Sequence, residues 1–369
     1  MHDGGEPLVL LAAGGTGGHL FPAEALAIAL RRRGVAVDLA TDARATRYGS
    51  AFPARMKHVI PSDTLRGSNP LAAARAIAVL GRGVVSAYRL LRRVQPVAVV
   101  GFGGYPSIPP VLAAALARIP TVIHEQNAVM GRANRLLAPR VTAIATGFPG
   151  ILNRDGARAG KTTHTGNPLR PAVIAAAATP YPIREPSAPL RIVVFGGSQG
   201  ARIMADIMPA AMEQLEASLR ARVGMVQQAR EEDLARVRET YARLGIAAEV
   251  APFFADLPAR IGACHLVVSR SGASTVAELA ALGRPAILVP LPHSLDQDQL
   301  ANATVLQRAG GAVLLVQADF TPQRLAEEIA ALAADPSRLA AMAAAAGTVG
   351  TLDAAERLAD LVLRVASTK

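Results

Sequence analysis

Two stretches of this 369-residue chain repeat one device: a short apolar run, a turn nearly free of side chains, and a helix-forming segment. In the first copy Leu8-Val9-Leu10-Leu11-Ala12 leads into Gly14-Gly15-Thr16-Gly17-Gly18-His19-Leu20-Phe21-Pro22, and Ala23 to Arg33 follow as helix formers closed by Gly34. In the second, Arg191-Ile192-Val193-Val194-Phe195 leads into Gly196-Gly197-Ser198-Gln199-Gly200-Ala201-Arg202. Apolar runs of this length suit strands buried on both faces of a parallel sheet. Pro22 suits the first turn of a helix. Glycines let the backbone approach a ligand, and the first N–H groups of the following helix lack partners and carry partial positive charge. The natural occupant is an anion. A plain tight turn is the alternative for either copy alone. The first turn is neither a dinucleotide fingerprint, since Leu20 stands where the third glycine belongs, nor a P-loop, since no Gly-Lys-Ser/Thr follows. Two copies, one in each half, predict an α/β chain of two Rossmann-like domains with parallel sheets and a ligand between them.

Further strands alternate with helices along the chain. Val97 to Val100 end in a third glycine loop, Gly101-Phe102-Gly103-Gly104-Tyr105-Pro106, and Thr121-Val122-Ile123 deliver His124-Glu125-Gln126-Asn127 at a strand's carboxyl end, where open α/β sheets bind ligands. Ala- and Pro-rich sequence up to Pro189 has the composition of a linker. In the second half Asp256 is placed to cap a helix, and His265 to Ser269 form a strand that turns through Arg270-Ser271-Gly272-Ala273-Ser274-Thr275 into a helix closed by Gly283. Glu278, one turn into that helix, is placed either to accept both hydroxyls of a ribose or only to favour the helix dipole. A single cysteine, Cys264, excludes an internal disulfide framework and fits a reducing compartment. No signal peptide is read at the start, and prolines and glycines between Val94 and Ala117 argue against a spanning helix there.

The formal net charge of +11 is uneven: residues 1–170 hold 21 Lys and Arg against 8 Asp and Glu, and residues 171–369 hold 18 against 20. From Thr64 to His124 there is no acid, while Arg66, Arg75, Arg82, Arg89, Arg92, Arg93 and Arg118 are present. Within the helix read from Leu71 to Arg93, Arg75, Arg82 and Arg89 share a face and Ile77, Val84, Tyr88 and Leu91 mark another. The pattern reads equally as a solvated face and as a surface for anionic lipid. A non-enzymatic nucleic-acid or membrane-binding protein would leave the three glycine loops unexplained, and no aromatic platform or nucleic-acid motif supports the former.

Taken together, Gly14 to Pro22, Gly103-Gly104-Tyr105, His124 to Asn127, Gly166-Asn167-Pro168, Gly196 to Arg202, Ser269 to Glu278 and Gln299 to Asn302 resemble, in order and over nearly the whole chain, the MurG family of bacterial glycosyltransferases. The resemblance implies the GT-B fold, two Rossmann-like domains facing across a cleft: residues 1–170 as acceptor and membrane-facing domain, rejoined by a last helix within 351–369, and residues 171–350 as the UDP-GlcNAc domain. It implies inverting transfer of GlcNAc from UDP-GlcNAc to the muramoyl 4-hydroxyl of undecaprenyl-diphospho-MurNAc-pentapeptide (lipid I), giving lipid II for peptidoglycan. It further implies that no metal, cofactor or nucleic acid takes part and that the enzyme is peripheral on the cytoplasmic face of the inner membrane. Carried over, Thr16, Gly17 and Gly18 lie near sugar and diphosphate, Asn127 meets the GlcNAc, and Arg170 and Ser198 meet phosphate and donor. Phe254 offers its backbone to uracil, Ala273, Ser274, Thr275, Val276, Ala277 and Glu278 hold diphosphate and ribose, and Gln299 holds the sugar. His19 is the candidate general base or a structural group at the diphosphate, with Glu125 as the second candidate base. One departure is Asp296-Gln297-Asp298-Gln299, where family members often show Asp-Asp-His-Gln. It leaves the register of Gln297 against Gln299 open, and its Asp-x-Asp is read as acids at a helix start. A related transferase with another lipid acceptor, or a UDP-GlcNAc 2-epimerase, is the alternative.

Overall fold

The computed structural model describes residues 6–14, 17–42, 52–62, 70–151, 156–197 and 200–367. They form two compact units, residues 1–170 with 352–369 and residues 171–351. Both units are open, all-parallel sheets among the described residues, as the alternation of strands and helices requires.

In unit 1 the order is β1 (Leu8–Ala12), α1 (Gly17–Arg32), β2 (Ala36–Thr41), β3 (Lys57–Val59), α2 (Pro70–Val94), β4 (Ala98–Gly101), α3 (Ile108–Leu116), β5 (Thr121–Glu125), α4 (Arg132–Leu137), β6 (Ala143–Thr146), α5 (Gly156–Ala159) and β7 (Thr162–His164). The strands lie as β3-β2-β1-β4-β5-β6-β7. β1 is buried on both faces: Val9 and Leu11 join the core under α1, Leu10 and Ala12 the core under α2 and α3. That is why its apolar run is unbroken rather than alternating.

Unit 2 runs α6 (Pro171–Ala177), β8 (Leu190–Phe195), α7 (Arg202–Gln214), α8 (Ala217–Arg220), β9 (Val223–Gln228), α9 (Leu234–Arg243), β10 (Ala247–Ala251), α10 (Leu257–Ala263), β11 (Leu266–Ser269), α11 (Ala273–Leu282), β12 (Ala286–Leu288), α12 (Asp298–Ala309), β13 (Ala312–Leu314), α13 (Pro322–Ala334) and α14 (Pro336–Gly347). Its strands lie as β10-β9-β8-β11-β12-β13. The last helix, α15 (Ala354–Ala366), belongs to unit 1, where Leu358, Leu361, Val362 and Val365 complete the core beside α1. Arg33 at the end of α1 fastens it by ion pairs to Glu356 at 2.6 Å and Asp360 at 2.5 Å.

Some local expectations change. α1 begins at Gly17, so Pro22 lies in its second turn rather than its first, and His19 rides on the first turn. Two glycines at a helix start are poor helix formers, and tertiary packing overrides that preference. Asp256 occupies the N-cap of α10 but makes no cap bond, because its carboxylate pairs with Arg260 at 2.8 Å. Among the described residues no single helix is long and apolar enough to cross a membrane.

Candidate active site

Each sheet reverses its strand order once, at β1/β4 in unit 1 and at β8/β11 in unit 2, and such a switch point opens a crevice at the carboxyl ends of the strands. Each crevice is described by itself.

At the β1/β4 crevice the imidazole of His19 lies between the first and third glycine loops. The third loop lies against it: a Cβ on Gly103 would stand in ordinary contact 3.5 Å from His19 Cε1 and one on Gly104 tightly at 3.3 Å from Nε2, and both glycines have positive φ, +79° and +71°, which itself disfavours a side chain. Burial holds the His19 pKa below its ordinary value, opposed by the charge of Glu125, the Gln126 side chain and the Phe102 backbone. The ring is therefore neutral at neutral pH and able to accept a proton. Nδ1 is buried and has no hydrogen-bond partner among the described residues.

The polar run that ends β5 and continues beyond it divides into different tasks. His124 is fully buried; Nε2 lies 3.0 Å from the Gly166 carbonyl and Nδ1 3.1 Å from the Gln126 amide nitrogen. That network assigns the proton to Nε2. Burial pushes the His124 pKa down to about 4, so this imidazole is a neutral brace. Glu125, also buried, accepts four hydrogen bonds: Oε1 from the Asn127 N–H at 2.9 Å and its side-chain amide at 3.3 Å, Oε2 from the Gly131 N–H at 2.9 Å and the Asn134 amide at 2.8 Å. A carboxylate so engaged fixes the loop that presents Asn127, and has little lone-pair capacity left for a substrate proton. Asn167 ties in from the other side, donating to the Gln126 carbonyl at 2.9 Å. Gly147 makes room for it, since a Cβ there would lie 2.2 Å from Asn167 Oδ1. Arg170 stacks over the Phe21 ring at 4.7 Å, on the second turn of α1, and its charge opposes the burial that raises the Glu24 pKa.

At the β8/β11 crevice the second glycine turn is tightly specified. A Cβ on Gly196 would stand 2.2 Å from the Ala201 backbone nitrogen, and Gly197 and Gly200 have φ of +88° and +67°. Across the crevice α11 has Gly272 as its N-cap, with no side-chain cap, and a Cβ on Gly272 would meet nothing within 4 Å. Its first N–H groups are thus open to an anion. The loop before it is braced: Ser271 Oγ donates to the Gln299 carbonyl at 2.8 Å, Asn302 to the Ser271 carbonyl at 3.2 Å, and Arg270 to the carbonyls of Val289 at 3.1 Å and Pro290 at 3.0 Å.

Residues 9–146 match the family model "Glycosyltransferase family 28 N-terminal domain" and residues 191–358 "Glycosyltransferase family 28 C-terminal domain". A Rhodopseudomonas palustris (strain HaA2) protein, a UDP-N-acetylglucosamine–N-acetylmuramyl-(pentapeptide) pyrophosphoryl-undecaprenol N-acetylglucosamine transferase, is 63% identical over 98% of this chain and 99% of its own. The chain belongs to the MurG family of glycosyltransferases. The crystal structure of Acinetobacter baumannii MurG superimposes with a TM-score of 0.80 at 29% identity, covering 97% of this chain and 99% of that one. The Neisseria meningitidis UDP-GlcNAc 2-epimerase bound to UDP-GlcNAc has a TM-score of 0.68 at 14% identity, covering 97% of this chain and 100% of that one, a likeness of fold alone.

The residues singled out in sequence divide between the two units as follows. Gly17, Gly18, His19, Glu125, Asn127 and Arg170 belong to unit 1; Phe254, Ala273 to Glu278 and Gln299 belong to unit 2. Thr16 and Ser198 lie outside the described residues. Glu278 sits nearly buried in the second turn of α11, and Phe254 is buried under Arg260, whose guanidinium is 4.6 Å from the ring, leaving its backbone as the part to present. Gln299 accepts from the Leu291 N–H at 3.0 Å through its side-chain carbonyl. Gln297 and Asp296 before it both have φ of +54°, while Asp298 Oδ1 accepts the Gln299 N–H at 2.7 Å, the work of an acid at a helix start. Asn134 and Gly147 went unread in sequence. Asn134 is nine residues from the carboxylate it holds, and Gly147 lies on another strand's loop, so no local spacing signals either.

Proposed function

We propose that this chain transfers N-acetylglucosamine from UDP-GlcNAc to the muramoyl 4-hydroxyl of lipid I, giving lipid II for peptidoglycan synthesis and so for cell-wall growth, shape and division. The observation that carries this reading is 63% identity over 98% of the chain to a transferase of that name. The reaction is an inverting displacement: the 4-hydroxyl attacks the anomeric carbon and UDP leaves from the opposite face. His19, neutral and close to the first glycine turn, takes the hydroxyl proton as the new bond forms. Glu125 positions rather than accepts, because its oxygens already hold the Asn127 to Asn134 segment. In unit 2 the open N-terminus of α11, Ala273 to Val276 and the second glycine turn with Ser198 receive the diphosphate, and Glu278 accepts the ribose hydroxyls. Ala277 lies between them on the same helix, Phe254 meets uracil through its backbone, and Gln299 holds the sugar. Arg170 at the end of unit 1, with Thr16, Gly17 and Gly18, adds positive potential, and Asn127 meets the GlcNAc. Fixed dipoles and guanidinium charge stabilise departing UDP with no metal required.

A peripheral place on the cytoplasmic face of the inner membrane is supported by unit 1. Ile77 and Tyr88 on α2 and Met56 before β3 are exposed, and a groove of about 910 Å³ is lined by the exposed Val59 and Val85 together with Lys57, Arg82, Arg89 and Arg93. Apolar side chains among cations suit an anionic bilayer surface. Replacing Arg82 and Arg89 by glutamate is expected to lower sedimentation with anionic vesicles about tenfold or more at low salt, at roughly 1 kcal/mol per basic residue; indifference to that change contradicts the membrane assignment.

The test of function is transfer of labelled GlcNAc from UDP-GlcNAc to a short-chain lipid I analogue in EDTA. Transfer is the expected result. Bound UDP-GlcNAc with no transfer would move the acceptor to another lipid, conversion of the sugar to its 2-epimer would favour the epimerase, and a strict need for magnesium would contradict the metal-free mechanism.

A further inference from the structure

Among the described residues at the carboxyl edge of unit 2, Arg230 is a cation to which neither the sequence motifs nor the mechanism above gives a task. Arg230 follows β9 by two residues, and β9 lies beside β8, so Arg230 emerges at the same edge as the second glycine turn. Its stem rests on that turn: a Cβ on Gly200 would stand 3.2 Å from Arg230 Cγ. Its guanidinium does little there. Nη2 reaches the Gly200 carbonyl only at 3.5 Å, the ion pair of Nη1 with Glu232 is long at 3.9 Å, and Nε is buried with no hydrogen-bond partner among the described residues.

Other arginines of the unit are used differently. Arg270 holds two backbone carbonyls and Gln317, Arg236 two carboxylates at 2.7 and 2.8 Å, and Arg260 two carboxylates at 2.5 and 2.8 Å. Nor does Arg230 hold this edge together. Gln228 does that, accepting the Gly196 N–H at 3.1 Å and donating to the Pro252 carbonyl at 3.2 Å, which links the ends of β8, β9 and β10. A guanidinium carries five donors in a planar fork that matches two phosphate oxygens. One that leans on an anion-type turn with a single marginal bond has that fork available.

We propose that Arg230 binds the diphosphate of the nucleotide donor, contributing to both donor affinity and stabilisation of the leaving UDP. The proposal rests on the assignment of unit 2 as the UDP-GlcNAc domain. It makes Arg230 the charged complement of two devices that are otherwise only dipolar, the glycine turn and the α11 N-terminus. Arg230→Met keeps a stem over Gly200 and removes the charge, Arg230→Gln gives a second neutral variant, and Arg230→Lys keeps the charge without the fork.

The test is titration calorimetry of the full chain with UDP, and with uridine by displacement, for wild type and the three variants, each checked by thermal melting. Charge-assisted phosphate contacts predict UDP affinity about 10- to 100-fold weaker in the neutral variants. Uridine affinity should stay within about twofold, the lysine variant should recover part of the loss, and the salt dependence of UDP binding should be shallower in the neutral variants. Unchanged UDP affinity in the neutral variants, or equal weakening of UDP and uridine, would overturn the proposal. The second pattern would mean that Arg230 only shapes the turn. Failure of the wild-type chain to bind UDP would instead overturn the donor assignment, and this proposal with it.

Discussion

The two carboxyl edges share a topology and differ in chemistry. At the edge of unit 1 the third glycine loop encloses an imidazole whose basicity burial has lowered, and a fully bonded carboxylate and a buried neutral histidine fix the neighbouring loop. At the edge of unit 2 the backbone itself is presented, by a turn that tolerates no Cβ at Gly196 and by a helix start with no cap. The first suits the movement of a proton and the second the reception of negative charge. One supersecondary device thus presents two kinds of edge, because the strands specify only where the edge is and the loops specify what it offers.

The contrast breaks most visibly at His19. His19→Ala should lower kcat by roughly 10²- to 10⁴-fold with little change in donor KM, the range of a lost general base; steady-state transfer assays measure it, and a change confined to KM would return His19 to a structural role. Acid tests the same edge through His124. Its pKa is about 4 when folded and near 6.5 when unfolded, so the unfolded chain binds the proton first as pH falls. The stability it contributes is complete above about pH 6.5 and lost as pH drops towards 4, a loss of about 3 kcal/mol at 1.36 kcal/mol per pKa unit. Denaturant midpoints between pH 7 and 4.5 check this, and His124→Gln should flatten the slope.

At the other edge, Glu278→Ala should raise donor KM about 10- to 100-fold with a smaller effect on kcat, as expected for lost hydrogen bonds to a charged acceptor. Two glycines sharpen the comparison further. Gly196→Ala should lower stability by about 1–3 kcal/mol, the usual cost of forcing atoms into packed space, and weaken UDP binding with it. Gly18→Ala should leave the melting temperature within about 2 °C, since its Cβ meets nothing within 4 Å, so any activity it loses reports ligand approach alone.

Much of this was legible in sequence because it is local. The apolar runs of β1 and β8, the glycine turns after them and the αL Gly283 that ends α11 each announce themselves within a few residues. What stayed hidden is what tertiary contact decides. α1 starts at Gly17 against the low helix propensity of Gly17 and Gly18, the four donors around Glu125 come from residues up to nine positions away, and Arg260 drew Asp256 away from its cap. Arg230 has no motif at all, since its relation to Gly200 exists only once β8 and β9 pair.

The division of labour between the edges is tested most directly by one set of steady-state kinetics: GlcNAc transfer to a lipid I analogue by His19→Ala and Glu278→Ala, with donor concentration and pH varied. The account predicts a crossed result, with His19→Ala defective in kcat and without the acidic limb of the wild-type pH profile, and Glu278→Ala defective in donor KM with that limb intact. Both variants losing donor affinity alone, or His19→Ala keeping the wild-type limb, would contradict it.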